Sequence, residues 1–113
     1  MTEIPSAEAL NLFSNWERQD RKLSVMGSNS CFAISLRNAR VTICLDDLLQ
    51  LSCQEHGIVR FFVRSALFAP ADPKDFPEES GAWCAELERG LQIRFANVEL
   101  QCFVFPQREK TPV

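Results

Sequence analysis

Residues 31–64 read CFAISLRNARVTICLDDLLQLSCQEHGIVRFFVR, and the period of two in this stretch decides the fold. Phe32, Ile34 and Leu36 alternate with small or polar residues; Val41, Ile43 and Leu45 repeat the pattern, then Leu49, Leu51 and Cys53, then Val59, Phe61 and Val63. Such alternation sends one set of side chains to one face of a strand and the intervening set to the other. Asn38-Ala39, Asp46-Asp47 and Glu55-His56-Gly57 interrupt the runs with residues that accept turn conformations, so the stretch predicts an antiparallel meander of short strands.

The same rhythm returns towards the C-terminal end in Trp83, Ala85 and Leu87, in Leu91, Ile93 and Phe95, and in Val98, Leu100, Cys102 and Val104, with turns at Arg89-Gly90 and Ala96-Asn97. Residues 83–90 are equally compatible with the start of a helix. On the N-terminal side the period changes to that of a helix over residues 6–18. Ala9, Leu10, Phe13 and Trp16 form its stripe, Ser6 is placed as N-cap, and Glu8 faces the positive end of the helix dipole. Six to seven short strands must hide both faces, which a mainly β fold achieves by curling into a small barrel or roll with the helix closing one side.

The chain therefore divides into a helix (6–18), a β meander (21–65), a Pro-rich acidic loop (66–82), C-terminal strands (83–105) and a flexible tail (106–113), all within one domain. Its 113 residues are 46% hydrophobic and 24% charged with a net charge of -3, the composition of a globular domain with a core of its own. Charge is uneven, summing to -3 over residues 1–17, +3 over 18–64, -5 over 65–88 and +2 over 89–113. No apolar run approaches the ~20 residues that span a bilayer, and Met1 to Pro5 lack a signal-peptide pattern, so a cytoplasmic protein with no membrane partner is expected. Five cysteines (31, 44, 53, 84 and 102) form no Cys-x-x-Cys pair and are an odd number, which predicts buried free thiols.

Catalytic chemistry finds few footholds. Nucleophilic catalysis by a thiol needs a base, and the one histidine, His56, allows only a Cys53–His56 dyad in a predicted turn. Asp46-Asp47 is the one adjacent pair of aspartates, and the four glycines form no phosphate cradle. Glu86 and Glu88 read as a solvated strand face. No enzyme, metal or cofactor is implied.

Binding chemistry is better represented. Arg60, Phe62 and Arg64 alternate onto one strand face, an arrangement that can stack a base and hold its flanking phosphates, although arginine stems also cover apolar sheet. The loop at 66–82 carries Pro70, Pro73 and Pro77 with Asp72, Asp75, Phe76, Glu78 and Glu79, and long loops without regular structure tend to bind.

Leu45-Asp46-Asp47-Leu48-Leu49-Gln50-Leu51, followed later by Arg89-Gly90-Leu91-Gln92-Ile93, resembles the two signature segments of Sm-like RNA-binding barrels, which also place a helix before a strongly bent sheet. The resemblance covers about 12 of the 113 residues. It implies a base-binding role for Asp46, Gln50 and Arg89 and a ring-shaped oligomer. Gln50 stands where that family has asparagine, the strand glycine is absent, and an extra strand follows the Arg-Gly turn. The function expected on balance is a non-catalytic protein-interaction or assembly module, working through sheet edges or the acidic loop and binding a protein partner or itself. The alternative is an Sm-like nucleic-acid or nucleotide-ligand binder.

Overall fold

The N-terminal stripe forms helix α1 (Ser6–Arg18), which buries Ala9, Phe13 and Trp16 and leaves Leu10 half-buried. Phe13 and Trp16 meet edge to face, with ring centroids 5.2 Å apart. The residue at the N-cap is Pro5 and not Ser6. Its fixed φ of -60° directs the chain into the first turn without any side-chain cap. The structure is a computed structural model that describes residues 3–31, 33–45, 47–54, 57–75, 85–95 and 99–108.

Among the described residues seven strands follow, β1 (Leu23–Ser28), β2 (Ala33–Leu45), β3 (Leu48–Cys53), β4 (Gly57–Phe62), β5 (Leu67–Ala71), β6 (Gly90–Phe95) and β7 (Leu100–Pro106), with a 3-10 turn at Pro73–Asp75. They form a single antiparallel sheet in the order β4-β3-β2-β1-β7-β6-β5. The two edge strands, β4 and β5, are consecutive in the chain and joined only by residues 63–66. A link that short reaches roughly 15–20 Å, so the sheet must curl until its edges approach each other. Phe61 of β4 and Phe95 of β6 accordingly stack inside the curl at 5.7 Å. No ladder joins β4 to β5, so the barrel expectation is corrected to its alternative, an open roll.

Strand β2 makes the bend. Its first part pairs with β1 and its second with β3, and the register slips by a residue in each part. Leu36, Ala39 and Val41 of β2 join Leu23, Val25, Leu49, Leu51, Leu91, Ile93 and Val104 in one contiguous core, against which the helix lays Ala9, Phe13 and Trp16.

Asn38-Ala39 is no turn but a bulge within one long strand, because Asn38 takes a left-handed conformation (φ 57°) without reversing the chain. Strand β1 escaped the alternation test because it lies mid-sheet with both faces covered. The predicted loop at 66–82 contains β5: Pro70, which cannot donate to a ladder, is tolerated in a strand at the sheet edge. The predicted strand at 83–87 reduces, in its described part, to a single bridge between Leu87 and Gln107. The predicted tail starts too early, since Pro106 ends β7 and Arg108 N donates to Glu86 O. Cys44 is half-buried and Cys53 and Cys102 are buried, but Cys31 is exposed; Cys84 lies outside the described residues.

Candidate functional site: the outer face of the β4 edge

Register fixes what this face displays. Val59 and Phe61 of β4 turn towards the core side, half-buried and buried, which sends Ile58, Arg60 and Phe62 to the outer face as their alternation predicts. Phe62 is 73% exposed and Ile58 57%. Across the ladder Phe62 stands opposite Leu48, which stands opposite Leu45, itself 62% exposed. An apolar row thus crosses three strands and ends at a strand edge that is unpaired among the described residues.

Beside that row runs a polar one. Arg60 Nε donates to Gln50 Oε1 at 2.7 Å, Gln50 Nε2 donates to Thr42 Oγ1 at 3.0 Å, and the Thr42 and Ser52 hydroxyls lie 3.1 Å apart. Gln50 is only 7% exposed, and its amide oxygen and nitrogen are both engaged by these neighbours. It therefore acts as a brace that fixes Arg60 through its Nε. Arg64 Nη2 lies 3.0 Å from Asp47 Oδ2, and the Asp47 carbonyl accepts from Val63 N at 2.9 Å, which ties down the turn after β4.

The remaining sequence candidates go elsewhere. Arg89 donates from Nε to Asp72 Oδ2 at 3.1 Å beside β5, and no hydrogen bond or ion pair joins it to Gln50 or Arg60 among the described residues. Asp72 has its carboxyl held below the usual range, first by the backbone N–H of Lys74 and then by Arg89. Asp75 closes the 3-10 turn. Asp46, Phe76, Glu78 and Glu79 lie outside the described residues, as does His56. Cys53 is buried and its Sγ donates to Arg37 O at 3.1 Å. Among the described residues no three His, Cys, Asp or Glu side chains are grouped to hold a metal, and no helix is long and apolar enough to cross a membrane.

Sequence reasoning missed Ile58 and Leu45 as members of this face. Ile58 was legible, two positions before Arg60; Leu45 was not, because its place beside Leu48 and Phe62 depends on cross-strand register. No family model, curated protein or solved structure matches the chain.

Proposed function

We propose that the protein is a non-catalytic interaction module that takes an extended strand of a protein partner along β4. The observation that carries this reading is a strand edge that pairs with nothing among the described residues and bears Ile58 and Phe62, both largely exposed. An open edge is a template for strand addition, and natural sheets blunt it with lysine, proline, bulges or cover. The other edge is blunted: β5 contains Pro70, and Ile4 bridges onto it, with Ile4 N donating to Phe68 O at 2.9 Å. Along β4 there is neither proline nor bulge, and its one charged residue, Arg60, is bonded back to Gln50 at 2.7 Å. The matching partner segment alternates apolar residues, to lie against Ile58 and Phe62, with an acidic residue opposite Arg60.

Photo-crosslinking tests this. Benzoylphenylalanine in place of Phe62 is expected to form an adduct of one defined mass in cells, which Ile58→Lys removes, whereas the same probe in place of the exposed Gln101 of β7 forms none. Absence of an adduct at position 62, or equal adducts at both positions, overturns the reading.

A second reading rests on the strip itself: Phe62 stands exposed with Arg60 and Arg64 on either side, as a base-stacking platform for single-stranded nucleic acid requires. It is the weaker one, because Asp47 already partners Arg64. Binding of an oligonucleotide that weakens with salt and is lost in Phe62→Ala would establish it; binding unchanged in that variant would dismiss it.

A further inference from the structure

The bulge in β2 shapes a second surface, remote in purpose from the β4 face. Residues 37 and 38 both stand opposite Ser24, since Leu36 pairs with Val25 and Ala39 with Leu23. Bulges re-aim side chains, and here Arg37 and Asn38 turn into a cleft of about 730 Å³ between the start of β1 and the segment around Leu87. That volume lies within the usual range for small-molecule sites. Its floor is held by hydrogen bonds. Asn38 N donates to Gln107 Oε1 at 2.9 Å, Gln107 Nε2 donates to Asn38 Oδ1 at 3.0 Å, and Ser24 Oγ, on a residue only 4% exposed, reaches Gln107 Oε1 at 3.5 Å. Gln107 N also donates to Lys22 O at 2.8 Å, which fixes Lys22 at the same rim.

The charge in this cleft is unbalanced. Lys22, Arg37 and Arg108 line it, and none has an ion-pair partner among the described residues. Of the described acids nearby, Asp20 is taken by Arg40 at 3.3 Å and Glu88 by Arg21 at 3.1 Å, leaving Glu86. Three cations lining one concavity repel each other, and a dianion bound among them would relieve that repulsion while accepting hydrogen bonds from two guanidinium forks and an ammonium. Ala85 and Leu87 add apolar wall that a bare inorganic anion would not use.

We propose that this cleft is a binding site for a phosphomonoester, with Lys22, Arg37 and Arg108 on the phosphate, Ala85 and Leu87 against the organic part, and Glu86 facing a hydroxyl or amine of the ligand. The site shares no residue with the β4 face, so either reading stands or falls without the other.

Calorimetric titration of the full chain with AMP, glycerol 3-phosphate, inorganic phosphate and adenosine tests it. One of the two esters is expected to bind at millimolar Kd or better and more tightly than inorganic phosphate, while adenosine does not bind. Arg37→Gln and Arg108→Gln should each weaken the ester about tenfold or more, as loss of a charge-assisted hydrogen bond does, and Arg94→Gln on β6 should leave it unchanged. Unaltered melting temperatures would show that both variants fold, as their exposed positions suggest. No ester binding by wild type, binding of inorganic phosphate at equal strength, or binding indifferent to Arg37 and Arg108 each overturns the proposal.

Discussion

At Gly90, the first residue of β6, a Cβ would lie 1.9 Å from the Val104 carbonyl oxygen and 3.0 Å from Phe105 Cα. These are backbone atoms of β7, so no rotamer change relieves the clash. Gly90→Ala is expected to force β6 away from β7 and cost about 2 kcal/mol or more, read as a lowered urea midpoint. Gly57 makes the opposite case: its φ is +87° with open space around the would-be Cβ, so Gly57→Ala costs about 1 kcal/mol through backbone conformation alone. The sequence marks both as turn glycines and cannot separate them, because the approach of Val104 to Gly90 exists only once β6 and β7 have paired. Thiols divide in the same way. Burial pushes the Cys102 thiol up to about 11 from an ordinary 9.0, so at pH 8 iodoacetamide should label the exposed Cys31 and spare Cys102 in the folded protein. An unfolded chain ionises this thiol first; its contribution to stability is complete below pH 9 and lost as pH rises through about 11. Urea midpoints across that window should fall more steeply in wild type than in Cys102→Ala.

Elements were legible in proportion to how one-sided their environment is. Helix α1 has one covered face, and its stripe predicts its bounds; β4 alternates for the same reason. Strand β1 is covered on both faces and shows no alternation, and β2 reads as two strands because Asn38 carries turn chemistry that the structure uses for a bulge. This distinction can be tested. Asn38→Gly keeps the left-handed conformation and should be tolerated, whereas Gln107→Leu removes the acceptor for Asn38 N and the donor to its side chain, and should cost about 1 kcal/mol. Amide exchange at Asn38, followed by NMR, should quicken in Gln107→Leu; unchanged exchange would show that the bulge holds itself. Phe13→Ala, which empties the centre of the helix contact with the sheet, should cost about 3–5 kcal/mol.

At the scale of the whole molecule, the decisive relation joins residues that are far apart in the strand order yet close in sequence. Residues 63–66 hold the two sheet edges near each other without pairing them, so the roll carries two edges of unequal character, β5 bridged by Ile4 and β4 unpaired among the described residues. The sequence indicated Arg60 and Phe62 through alternation, but which strand would be an edge, and which edge would be covered, follows from strand order alone. That inequality yields a further test. Removing residues 1–4 leaves the Pro5 carbonyl that accepts from Ala9 N, so the start of α1 keeps its backbone bond, but it frees the Phe68 carbonyl that Ile4 N occupies. With both edges then open, β4 of one copy has a second strand to pair with in another, and the shortened chain should self-associate by light scattering at concentrations where the full chain does not. Phe62→Lys in the shortened chain should suppress that association, because it places a charge on the strand being paired. Association that persists in Phe62→Lys would assign the pairing to β5 with itself, and an unchanged monomer would show that Pro70 alone protects that edge.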